Sequence, residues 1–166
     1  MNIDQLYNNK TLLEKEIARF KKEKAIRQSA IASTLDKAHL DKAKHNLRFV
    51  AKNITDEEFN DWTIVGLYYA VYHASLALLA NKGYISKDHN ATLLLLIKEY
   101  GISKEEAELI EQLHLTKEDA EFYATLKEQR RSASYATGTL FRTERVRKLR
   151  EESILFINKA EEMLKK

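Results

Sequence analysis

"DWTIVGLYYAVYHASLALLA", residues 61–80, is the stretch on which the fold turns. From Phe59 onward, Trp62, Val65, Tyr69, His73, Leu76 and Leu79 return every three or four positions, the period of one helix face. Ile64, Leu67, Val71 and Leu78 make the opposite side apolar as well. A helix that is apolar all round sits at the centre of a bundle or at a subunit interface. This one carries more apolar surface than a small bundle covers alone, so a homodimer is expected.

The rest of the chain supplies helices to surround it. Proline is absent, and the four glycines are Gly66, Gly83, Gly101 and Gly138, so helices are rarely interrupted and hairpin chemistry is missing. Helix starts are signalled where a hydroxyl precedes a carboxylate by three positions: Thr55 with Glu58, Ser103 with Glu106, Thr116 with Asp119. Gly83 and Gly101 signal helix ends. These marks predict helices near 2–30, 36–53, 56–82, 87–100, 103–114, 116–136 and 139–165. "LLLLI", Leu93 to Ile97, predicts a second deeply buried helix, and Ile154, Leu155, Ile157 and Leu164 predict the apolar side of the last. The expected architecture is all-α, an antiparallel bundle of four to five core helices with an extra N-terminal helix. Residues 1–33 read as a basic helical extension and residues 34–166 as the bundle.

A chain of 166 residues has room for one real core and little more. Without cysteine it has neither a disulfide framework nor a thiolate metal site. No uninterrupted apolar run approaches the roughly 18 residues of a membrane span, and the N-terminus lacks a signal peptide's apolar region, so a cytoplasmic protein away from membranes is expected. Net charge is only +3, so any nucleic-acid attraction must come from local patches. One such patch is Arg19, Lys21, Lys22, Lys24 and Arg27, partly offset by Glu14, Glu16 and Glu23. Another, Arg142, Arg145, Arg147, Lys148 and Arg150, reads as a solvated face beside Glu144, Glu151 and Glu152.

The stretch with chemistry in it is "QRRSASYATG", residues 129–138. Arg130 and Arg131 offer charge-assisted hydrogen bonds to a phosphate, with Ser132 and Ser134 adding hydroxyl donors. Consecutive residues diverge by about a quarter turn on a helix, so the two cations need not converge. His73, on the face of Tyr69 and Leu76, reads first as a core residue. His89, at a helix start beside Lys87 and Asp88, is expected near solvent, either as a plain helix-start residue or as a group reaching a cleft. No two histidines stand three or four apart, so neither a metal nor a cofactor is expected. Scattered glycines also leave no phosphate loop or nucleophile elbow.

Several of these elements together resemble the HEPN domain family, the nucleotide-binding domains of higher eukaryotes and prokaryotes, in its compact prokaryotic branch. They are Tyr68, Tyr69, Tyr72, His73 and Ala74; then Gly83 and Tyr84; then Lys87 and His89; then Arg130 with Ser134 and Tyr135. The resemblance covers residues 36–165. It implies a helical bundle, commonly homodimeric and often encoded with a small nucleotidyltransferase as a toxin–antitoxin pair. Many members are metal-independent ribonucleases with an Arg-x4-6-His motif at the dimer cleft. In that motif a cation holds the scissile phosphate and a histidine takes the 2′-hydroxyl proton.

This sequence departs from the motif. Its histidines are His39, His45, His73, His89 and His114, and none follows Arg131. The motif's place falls on Tyr135, Ala136 or Thr137, and a tyrosine with an ordinary pKa of about 10 is a poor base at neutral pH. Ser134 stands where the branch has a carboxylate. Two readings follow. One is a binding and assembly module, docking a nucleotidyltransferase and holding a nucleotide or RNA phosphate through Arg130, Arg131 and Ser134. The other is an RNA-cleaving enzyme whose catalytic candidates are Arg130 with Tyr135 or His89. The absent histidine favours binding.

Overall fold

The computed structural model describes residues 2–54, 59–129 and 143–165; for Thr116 and residues 118–129 it describes the helical path only. Among them run α1 (Ile3–Asn8), α2 (Lys10–Lys22), β1 (Ile26–Gln28), a 3-10 turn (Ala32–Thr34), α3 (Asp36–Asn53) and α4 (Asn60–Asn81). β2 (Tyr84–Ser86), α5 (His89–Tyr100), α6 (Lys104–Gln129) and α7 (Thr143–Leu164) complete the chain. The fold is all-α, with one two-stranded antiparallel ribbon pairing Ile26 with Ser86, Arg27 with Ile85 and Gln28 with Tyr84.

α4 is the axis of the bundle, packing against α3, α5, α6 and α7. Its residues Ile64, Leu67, Val71 and Leu78 are fully enclosed. By length and composition α4 would also span a membrane, with mean hydropathy 1.5, yet 72% of its most apolar window is buried inside the protein. α5 drives Leu93, Leu94, Leu95 and Leu96 into the same core, each with no exposed surface. α3 comes so close that a Cβ added at Gly66 would lie 2.9 Å from Val50 Cγ2 and 3.1 Å from Phe49 Cδ1. Glycine is what lets the two helices touch there.

The first thirty residues are not one helix. The Asn2 side chain caps α1 by accepting from the Gln5 N–H (3.2 Å), and Asn9 closes α1 and caps α2 by accepting from the Leu12 N–H (2.9 Å). Short amide side chains bond nearby backbone more readily than they extend a helix, so the Asn8–Asn9 pair breaks it. Just past the end of α2, Lys24 is left-handed with φ 59°, and the Ala25 N–H returns to the Phe20 carbonyl (3.0 Å). That reversal delivers Ile26, 3% exposed, to the ribbon. Leu6, Leu13, Ile17 and Phe20 lie in the same core as α4 and α5. The Tyr7 hydroxyl, shared between the carbonyls of Ile102 (2.6 Å) and Ser103 (2.8 Å), fastens α1 to the start of α6.

The expected ends at Gly83 (φ 79°) and Gly101 (φ 56°) are present, both left-handed. At Ser103 the expected reciprocal cap forms: its backbone N–H donates to Glu106 (2.8 Å) and its side chain accepts from the Glu106 N–H (3.2 Å). The similar pattern at Thr116 starts nothing, because α6 runs through it without a break from Lys104 to Gln129. In α7 the buried face is Val146, Leu149, Ser153, Phe156, Ile157 and Ala160. Leu155, expected inside, is 69% exposed.

Candidate functional site

Four of the five histidines meet in two pairs. His89 begins α5, after Asp88 caps the helix by accepting from the Ala91 N–H (2.9 Å). This cap aims the His89 ring inward, where it stacks on His114 of α6 with centroids 3.8 Å apart and planes 14° apart. Tyr68 of α4 completes the enclosure, its ring 6.0 Å from His89 and 5.8 Å from His114. His89 Nε2 lies 3.4 Å from a Glu111 oxygen. Burial, and then the facing His114, push the His89 pKa below its ordinary range, with Glu111 opposing. At neutral pH His89 is therefore an uncharged imidazole. It is 8% exposed, not near solvent as its place at a helix start suggested.

The second pair joins α3 to α4. His39 Nδ1 and His73 Nδ1 are 3.1 Å apart, one donating and the other accepting. Burial, then His39, then Lys42 lower the His73 pKa to about 4, and burial lowers that of His39. His73 is thus half-buried and partnered by a histidine 34 positions away in sequence, a distance at which helical periodicity gives no signal.

Between the pairs α4 lays down a row of rings. Tyr68 stacks on Tyr72 at 5.6 Å and 8°, meets Tyr69 edge-on at 5.1 Å, and Tyr72 lies 6.3 Å from His73. The stack of Tyr68 on Tyr72 follows from their spacing of four, which puts them on one helix face; Tyr69 and His73 meet them edge-on or tilted from the next position along. The row reaches the surface at Tyr69, 39% exposed. There Lys117 of α6 sets its ammonium 5.2 Å from the Tyr68 ring and 5.9 Å from Tyr69. Tyr68 is buried, so what this end of the row presents outward is the Tyr69 ring beside the Lys117 ammonium. Sequence reading singled out Tyr68 and Tyr69 but not Lys117, Glu111 or His114, which carried no local pattern.

Arg130, Arg131, Ser132, Ser134 and Tyr135 lie outside the described residues. α6 leads towards them, and Gln129 stands about 22 Å along the helix axis beyond His114. Among the described residues no group of three or more metal-ligating side chains is placed to hold an ion. Parallel stacking also keeps the His89 and His114 lone pairs from converging on one. Neither a protein-family model nor a curated protein matches this chain.

Proposed function

We propose that this chain is a HEPN-type binding and assembly module of the cytoplasm, not a ribonuclease. In this reading it acts as a homodimer, holds a phosphate-bearing ligand, RNA or a nucleotide, through Arg130, Arg131 and Ser134, and partners a small nucleotidyltransferase in a toxin–antitoxin-type system. The observation that carries the preference for binding is the enclosure of His89. The one histidine that the resemblance offers as a substitute base is sealed between Tyr68, His114 and Glu111, with its proton affinity lowered. A base for RNA cleavage has to reach a 2′-hydroxyl within hydrogen-bond distance and be matched to the working pH. The enclosure of His89 and its lowered proton affinity both count against it on these conditions. Cationic side chains without such a base give affinity without turnover.

The dimer rests on a separate observation. Phe59 (43% exposed), just before α4, and Trp62 (53%) and Tyr69 (39%) on it share one helical face, and Phe49 (42%) of α3 lies close to Gly66 between Trp62 and Tyr69. Four large aromatic side chains left this open on the α3–α4 side fit a contact surface better than scattered exposure.

The test is direct. Purified protein incubated for hours with a mixed-sequence RNA, with and without divalent metal, is expected to leave it intact, while binding a labelled oligonucleotide. Arg130→Ala is expected to weaken that binding. Cleavage abolished by Arg130→Ala or Tyr135→Phe would replace this reading with that of a metal-independent endoribonuclease using Tyr135.

A further inference from the structure

α6 and α7 both pack on α4, and their outer sides leave between them a groove of about 530 Å3. Its floor is apolar: Leu109 and Phe156 line it with their edges, and Leu155 stands at its side, 69% exposed. With Leu109 and Phe156 on the floor, Leu155 extends the apolar surface of the groove to its edge. The walls are Ser103 to Gln112 of α6 and Lys148 to Lys159 of α7, each about 14–16 Å long at the helical rise. That length matches three turns of another helix.

Charge selects the kind of helix. Four carboxylates and two ammonium groups line the groove. Both ammonium groups face carboxylates already: Lys159 binds Glu106 at 2.8 Å, and Lys148 lies 3.9 Å from Glu152. Glu105 and Glu108 remain along the α6 rim. Glu108 is 3.6 Å from Lys104, whose ammonium sits closer to Asp4. Among the described residues lining the groove, carboxylates therefore outnumber ammonium groups, and the two outside the Lys148 and Lys159 pairs, Glu105 and Glu108, lie on the α6 wall with Lys104 beside them.

We propose that the α6–α7 groove is a docking site for a basic amphipathic helix of a partner protein. Apolar side chains spaced three and four apart would enter against Leu109, Leu155 and Phe156, and flanking lysines or arginines would face Glu105 and Glu108. The groove shares no residue with the exposed aromatics of α3 and α4. This inference is independent of the phosphate-binding reading above.

The probe is a labelled synthetic peptide of about 14 residues, leucine and lysine set on a helical repeat, and its counterpart with glutamate in place of lysine. The lysine peptide is expected to bind the full chain and the glutamate peptide not to. Leu155→Asp, and separately Glu105→Lys with Glu108→Lys, are each expected to weaken binding roughly tenfold or more. All three positions are exposed, so the fold survives, which circular dichroism checks. Equal binding of the two peptides, or binding unaffected by both variants, overturns the proposal. So does a change in the protein's own mass in solution on Leu155→Asp, which would make a second copy the occupant.

Discussion

His39 and His73 face each other Nδ1 to Nδ1 at 3.1 Å, holding α3 to α4 by a bond that needs an uncharged acceptor. Protonating both rings replaces the bond by repulsion. Both have pKa values lowered in the folded state, His73 to about 4, while an unfolded histidine titrates near its ordinary value of about 6.5. Between these values the unfolded chain binds more protons, so stability is full above about pH 6.5 and falls as pH drops towards 4. His89 acts in the same direction. The carboxylates with lowered pKa, Glu14, Glu105 and Glu161, lose their contribution only at lower pH, so the range from 7.5 to 5 isolates the histidines. Discounted for half-open settings, the pair is expected to cost about 1–2 kcal/mol by pH 5. Thermal melts should show the drop, and His39→Leu with His73→Leu should reduce it, leaving the share due to His89; an unchanged pH slope in the double variant would refute the role.

Lys24 holds a left-handed conformation, φ 59°, where α2 turns into β1. A side chain with a Cβ costs about 1–2 kcal/mol there, and glycine does not, although glycine adds freedom to the unfolded chain. Lys24→Gly is therefore expected to stabilise by about 0.5–1 kcal/mol, raising Tm by roughly 1–4 °C. A lower Tm would mean that the lysine side chain contributes more than its backbone strain costs.

At Gly66 the expected sign is opposite. Glycine inside a helix is ordinarily a cost, so a substitution that raised helix propensity would help if there were space. Val50 is fully buried and β-branched, and its Cγ2 stands 2.9 Å from where a Cβ would be. Gly66→Leu is expected to force α3 outward at a cost of about 2–3 kcal/mol, read in urea unfolding. The same variant in which Val50 is cut to alanine should recover part of the loss.

Features set by a few neighbouring residues were legible in the sequence. The buried run Leu93 to Leu96, the left-handed Gly83 and Gly101 and the Ser103–Glu106 cap are local, and each stands as read. The pattern at Thr116 misled because a hydroxyl and a carboxylate three apart also occur inside helices, and no breaker stands before them to end the turn. The ribbon was invisible since Ile26 finds Ser86 sixty positions away. His89 was read near solvent because its partners Tyr68 and His114 are supplied by two other helices. Leu155 was read as core by residue type alone; the buried seam of α7 passes through Phe156 and Ile157 beside it.

The aromatic stripe yields the sharpest test of assembly. Trp62 is 53% exposed and lies one turn from Gly66, where Phe49 crosses, so a partner's matching stripe would bury it at the centre of the contact. Buried tryptophans at such centres carry much of an interface's energy, and a carboxylate forced into one has no partner. Trp62→Glu changes little in the isolated chain, because the side chain already faces water there. In light scattering the wild-type protein is expected at about twice the 19.3 kDa chain mass, and Trp62→Glu near 19.3 kDa with an unchanged helical spectrum. A wild-type mass of one chain at every concentration, or a dimer indifferent to Trp62→Glu, would mean that the stripe serves another contact. Such a result would remove the dimer from the proposed function and leave its phosphate site to be tested alone.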